Sequence, residues 1–250
     1  MANALFEYLQ RLGDDSLVLA QRLCEWCGRA PSIEVDLSIA NMGLDLLGQA
    51  QLFLAYAGET EGEGRDEDAL AYRRDAAEFR NCLLVEQPNG DFAQTMARQF
   101  LFSLHRELLL EALAASTDTR IAEIAAKAVK ETRYHVELSS DWVIRLGDGT
   151  EESHRRMEEG LDWFWRFIDE MFEMDELETE LAAVGVAADR RALRAEFDRR
   201  MAEVVERATL AVKPSQWPLS GGRQGRHGEQ LSHMLAEMQV LARAHPDARW

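Results

Sequence analysis

The chain has 250 residues, enough for one large domain or two small ones with a real core. Apolar residues make up 46% of it, which argues against disorder, and a formal charge of −17 repels nucleic-acid phosphates and anionic lipid. Only five prolines occur, three of them beyond Lys213, so few helix breakers interrupt the body and an all-α fold is expected.

Asp14-Asp15-Ser16 reads as the cap of a first helix, with Leu17, Leu19, Ala20 and Leu23 as its apolar positions and Gly28 as its stop. The residues before it show no basic stretch followed by an apolar one, so no signal peptide is expected and the chain reads as cytoplasmic. A second helix is predicted over 33–57. It is apolar nearly all round, which predicts burial on most sides, yet Ser38, Asn41, Asp45 and Gln49 draw one polar line along it. A charged, glycine-rich loop over 58–68 and a helix from about Glu67 to Leu84 come next. Pro88-Asn89-Gly90 marks a turn, and Asp91 caps a third long helix to about Ser116. Thr117-Asp118 starts a fourth, which runs to Leu146. A fifth carries Met157, Leu161, Phe164, Ile168 and Phe172 on one face. A short helix over 176–184, one from about Asp189 and a last one over 231–244 complete the series, with an irregular stretch at 213–230. The pattern is that of a four-helix bundle elaborated by further helices. We read it as a single domain over 1–250, with a core bundle at about 14–147 and extra helices at about 151–250.

Two half-site positions decide whether such a bundle binds metal. Di-iron bundles draw one Glu from each of two helices and Glu-x-x-His from each of the other two, because residues three or four apart share a helix face. LDLLGQAQ (44–51) and KETRYHVE (130–137) occupy these places. The offset that pairs Leu46 with Glu131 also pairs Gln49 with Tyr134. A register shifted by one pairs Asp45 with Gln49 and Glu131 with His135. The first half fails in either register, since a Gln amide is a poor substitute for imidazole and Leu46 is no ligand. Glu25, Glu107 and Glu111 offer no unique further carboxylate. Glu131 and His135 alone could share a metal, or form a surface ion pair at four-residue spacing. We read Asp45, Leu46, Gln49, Glu131, Tyr134 and His135 as a vestigial, metal-free site, in which Tyr134 donates a hydrogen bond inside the bundle. Cys24 and Cys27 form a lone CxxC at a helix end and read as half-buried structural cysteines.

The stretches RLGDDSLVLAQRLCEWCGRAP, DLSIANMGLDLLGQAQ, LLVEQPNGDFAQTMARQF, KETRYHVELSSDW and GGRQGRHGEQLSHMLAEMQ resemble the C subunits of bacterial phenylacetyl-CoA epoxidase complexes. The likeness runs from near residue 8 to the tail. It implies a ferritin-like fold and a non-catalytic role beside a related A subunit that holds the di-iron site, so no cofactor in this chain. It further implies a complex with a small bridging subunit and a reductase that uses oxygen and NADPH to epoxidise the ring of phenylacetyl-CoA. No nucleic acid or membrane partner is implied.

Two further features carry expectations. Trp163 and Trp165, with Phe164 and Phe167, crowd the fifth helix, and the two tryptophans are candidate interface anchors or else core. The basic glycine-rich loop with Arg223, Arg226 and His227 is a candidate contact for coenzyme A phosphates or for a partner, or else a solvated loop. The competing readings of the whole chain are a self-sufficient di-iron oxidase using Asp45, Glu107, Glu131 and His135, and a helical adaptor unrelated to oxygen chemistry.

Overall fold

The computed structural model describes residues 2–212, 217–246 and 248. All regular structure among them is helical. The helices are α1 (Ala2–Cys24), α2 (Ile33–Glu61), α3 (Glu67–Tyr72), α4 (Leu83–Glu86), α5 (Phe92–Leu113), α6 (Thr119–Gly147), α7 (Glu151–Trp165), α8 (Glu176–Ala183), α9 (Arg190–Arg207) and α10 (Glu229–Ala244). Short 3₁₀ turns lie at Ala76–Glu78, Asp169–Phe172 and Gly222–Gln224. No helix among the described residues is long and apolar enough to cross a membrane. Residues 213–216 of the irregular stretch and most of the tail beyond Pro246 lie outside the described residues.

The chain divides into two compact units, residues 1–88 with 221–250, and residues 89–220. The first unit brings the last helix together with the first. In the first unit α1 and α2 form an antiparallel pair. α2 starts where the Ser32 hydroxyl accepts from Val35 N–H at 3.4 Å, with Glu34 and Asp36 in its first turn. It stops at Gly62, whose left-handed backbone (φ 75°) lets its N–H reach the Gly58 carbonyl at 3.1 Å. The two helices touch closely at Gly13, where a Cβ would sit 2.7 Å from Leu54 Cγ. Tyr8, Leu9, Leu12, Val18 and Leu23 of α1 and Ile39, Met42, Leu46 and Phe53 of α2 are all buried.

The first helix does not start at Asp14. It runs unbroken from Ala2, and Asp14, Asp15 and Ser16 are buried in its middle. The helix expected over 67–84 is likewise replaced by α3, a 3₁₀ turn and α4. These two departures have one cause. The amides of Arg80 and Cys82 donate to the carboxylates of Asp14 and Asp15, at 2.8 Å each, so they are not available to a helix. The aspartates in turn satisfy distant partners instead of capping their own helix.

The second unit is built on α5, which is buried along almost its whole length. Asp91 caps it by accepting from Gln94 N–H at 2.8 Å. Asp118 caps α6 through Ile121 N–H at 3.0 Å. The two helices run antiparallel, with Phe92 edge-on to Trp142 at 5.0 Å near one end and Glu107 against Arg133 further along. The fifth helix ends at Trp165 rather than continuing to Phe172, yet Met157, Leu161, Phe164, Ile168 and Phe172 are all buried. α9 closes this side through Phe197, whose ring lies 5.2 Å from that of Phe172.

Candidate functional site: half-site positions and a buried ionic core

The six vestigial positions fall in different units. In the first, Leu46 and Gln49 are buried and Asp45 is half-buried on α2. In the second, His135 is buried, Glu131 is half-buried, and the two lie one turn apart on α6. Tyr134 departs from expectation: 45% of it is exposed. The buried line of α6 passes through Ala128, Thr132, His135, Val136 and Ser139. At about 100° per residue Tyr134 points away from that line, so it does not enter an interior network.

No group of three or more His, Cys, Asp or Glu side chains among the described residues is arranged to hold a metal ion. On α2 the positions expected to carry a carboxylate and an imidazole hold the aliphatic Leu46 and the amide Gln49. On α5 the Glu107 carboxylate is already engaged, by Arg200 Nη2 at 2.8 Å and Arg133 Nε at 3.6 Å. A guanidinium at that distance competes directly with a cation for the same oxygens. The residues present therefore do not fit the iron pair that the fold family implies, and no chemistry is derived through one.

Among the described residues lies a buried polar constellation that local sequence signals did not reveal. It lies within the first unit and has three buried carboxylates at its centre, Asp14, Asp15 and Glu86. Asp14 pairs with both terminal nitrogens of Arg74, one at 2.9 Å, and Arg74 also stacks 4.3 Å from the centre of the Phe79 ring. Asp15 pairs with Arg223 on two prongs, Oδ1 to Nη1 at 2.9 Å and Oδ2 to Nη2 at 2.8 Å. Arg223 Nη1 also donates to the carbonyls of Arg80 at 2.7 Å and Arg11 at 3.2 Å. Glu86 accepts from Gly228 N–H at 2.7 Å, from Asn81 Nδ2 at 3.0 Å and from His227 Nδ1 at 2.7 Å. Buried ions survive only when paired and hydrogen-bonded, and here each carboxylate accepts at least three bonds.

His227 completes the set. Its Nε2 faces the Phe79 carbonyl at 3.0 Å while Nδ1 faces Glu86. A neutral imidazole donates once, so two acceptors favour the doubly protonated cation. Burial pushes the pKa down, but the Glu86 bond, the Phe79 carbonyl and the charges of Glu86 and Asp14 outweigh it and hold it above the usual value. With His227 charged, three anions face the three cations Arg74, Arg223 and His227.

This geometry takes Arg223 and His227 out of the expected phosphate or partner contact. Arg223 is buried in its ion pair and the His227 side chain is only 3% exposed, so neither offers donors to a ligand. Of the three, Arg226 alone stays at the surface. A Cβ on Gly222 would lie 2.1 Å from the Asn81 carbonyl oxygen, so glycine is required by close approach. The aromatic cluster divides: Phe164 and Phe167 are core, Trp165 is half-buried, and Trp163 is exposed beneath the Arg166 guanidinium at 4.5 Å. Cys24 and Cys27 are free thiols at the surface, and burial, then the neighbouring Cys27 and Glu25, push the Cys24 thiol up, which makes it a poor nucleophile.

The all-helical architecture is that of a ferritin-like helical protein. The family model of the phenylacetic acid catabolic proteins matches residues 1–250. The chain is also similar to the C subunit of the 1,2-phenylacetyl-CoA epoxidase of Escherichia coli (strain K12), with 49% identity over 248 residues, covering 99% of this chain and 100% of that protein. The chain belongs to the phenylacetic acid catabolic protein family.

Proposed function

We propose that this chain is the non-catalytic structural subunit of a multicomponent phenylacetyl-CoA 1,2-epoxidase. It pairs with the related di-iron catalytic subunit and stabilises it, as a single ferritin-like cytoplasmic protein without a metal of its own. Oxygen, NADPH through a separate reductase, and a small bridging subunit belong to the assembled enzyme. Full-length identity to a protein named as the C subunit of such an epoxidase supports the complex. One observation carries the non-catalytic role: where a half-site needs a carboxylate and an imidazole, α2 buries Leu46 and Gln49. A protein that binds only the folded form of its partner stabilises that partner by mass action, without any chemistry.

Reconstitution tests this. The chain alone, the catalytic subunit alone and the two together are assayed, with reductase and bridging subunit, for phenylacetyl-CoA-dependent NADPH oxidation. Turnover is expected only with both, and Glu131→Gln is expected to retain it. Turnover by this chain without the catalytic subunit would overturn the proposal.

A further inference from the structure

The end of α1 tightens before the chain reverses at Gly28. The amides of Trp26 and Cys27 donate three residues back, to the carbonyls of Leu23 and Cys24, at 3.1 Å each. Bonds of this 3₁₀ type set the side chains of residues i and i+3 one above the other. The residues so stacked are Cys24 and Cys27, and both are exposed free thiols rather than the half-buried pair expected from sequence. A turn of this kind holds its end Cα atoms within about 7 Å, and a disulfide needs about 4.4–6.8 Å. A bond between the two sulfurs therefore asks little of the backbone.

The fold fixes this turn on both sides. Gly28 takes the left-handed conformation (φ 76°), and its N–H donates to Asp36 Oδ2 in the first turn of α2 at 2.7 Å. Glu25, between the two cysteines, pairs with Arg22 at 2.8 Å, and Arg22 donates from two nitrogens to the Glu86 carbonyl at 3.1 and 2.7 Å. The thiols themselves differ. Cys24 Sγ lies 3.6 Å from the place a Cβ on Gly43 would take, against α2. Burial, then the charges of Cys27 and Glu25, hold its proton on, so Cys27 reacts first. Once Cys27 is bonded to another sulfur it carries no charge, and that part of the hold on the Cys24 proton is gone.

We propose that Cys24 and Cys27 form a reversible thiol–disulfide couple that reacts with low-molecular-weight disulfides of the glutathione class. The Cys27 thiol gives its proton to water, and the thiolate attacks the small disulfide, forming a mixed disulfide and expelling one thiolate. Cys24 then loses its proton, attacks the Cys27 sulfur and expels the second thiolate. The protein gives up two electrons and two protons, and the small disulfide becomes two thiols. Exposed disulfides are the labile ones, so the bond follows the redox state of the small-thiol pool. Cys82 is 1% exposed and takes no part. The couple does not rest on the epoxidase reading and goes beyond it.

Titration of the reduced full-length chain with mixtures of oxidised and reduced glutathione tests this, read by intact mass and by thiol count in denaturant. The wild type is expected to lose about 2 Da, the mass of two hydrogens, and to retain no glutathione. Its thiols fall from three to the single Cys82, with the new bond inside the tryptic peptide Leu23–Arg29. Cys24→Ser is expected to keep glutathione on Cys27 as a stable mixed disulfide. The equilibrium constant for closing the bond is expected to be at least about tenfold larger for the folded chain than for the chain in urea, because the fold holds the turn ready. Unchanged thiols, glutathione retained on the wild type, or a bond that involves Cys82 or a second chain overturns the proposal. So does a Cys24→Ser variant that takes up no glutathione, or a smaller ratio between the two closing constants.

Discussion

Asp15 and Arg223 stand 208 residues apart and share a two-pronged ion pair, at 2.9 and 2.8 Å, in the interior of the first unit. The pair ties the segment before α10 to the middle of α1. Breaking it leaves a charge buried without its counterion. Arg223→Met is therefore expected to cost about 3–5 kcal/mol, measured by urea unfolding. Adding Asp15→Asn removes the stranded anion while the amide oxygen still accepts from Cys82 N–H, so the double variant recovers part of the loss. Equal destabilisation by the single and double variants would contradict the assignment.

The His227 clasp makes stability depend on pH. Its folded pKa is held above the usual value, so protonation is favoured by folding. The stabilisation is complete below the unfolded pKa of about 6.5 and is lost as pH rises through the folded value. The unfolding midpoint of the wild type, followed from about pH 6 upward, is expected to fall relative to that of His227→Gln, in which the dependence flattens. A wild-type midpoint that gains on the variant with rising pH would show that the imidazole is neutral in the fold.

Two glycines predict opposite signs. Gly222→Ala forces a methyl against the Asn81 carbonyl, only 2.1 Å away, and is expected to cost about 1–3 kcal/mol. Gly48→Ala fills open space in a helix and is expected to gain about 0.5–1 kcal/mol, measured in dilute protein. Denaturant midpoints of both check this.

The Glu107 carboxylate is paired with Arg200 at 2.8 Å and Arg133 at 3.6 Å. Glu107→Gln is expected to weaken the packing of α9 on α5, seen as faster amide exchange in α9, and to leave the iron content of the assembled enzyme unchanged. A loss of iron with the fold intact would restore Glu107 as a ligand.

Local signals were legible in the sequence. Asp91 and Asp118 cap the helices they were expected to cap, because a cap is decided within four residues. The aspartates at 14 and 15 look the same locally, yet their partners lie 60 to 208 residues away, at Arg74, Cys82 and Arg223. Nothing in a short window shows that the amides of 80 and 82 are claimed from outside, so the helix over 67–84 was overextended. Composition marked α2 as apolar all round but did not say which side the chain itself covers. The chemistry of Leu46 and Gln49 is a matter of residue type and is legible without a fold: neither side chain is a carboxylate or an imidazole wherever it sits. The place of Tyr134 depends on helix phase, and of the two registers open on α6 the burial pattern turns His135 inward and Tyr134 outward. Arg223 and His227 sit in a glycine-rich loop that resembles a ligand loop, and only their distant carboxylates reveal them as structural.

The most direct test of the account is metal analysis of this chain purified alone and of the same chain co-purified with the catalytic subunit. The account predicts a stable complex in which the iron follows the catalytic subunit, and this chain alone free of stoichiometric iron. About two irons bound per copy of this chain alone, the complement of a di-iron bundle, would contradict it.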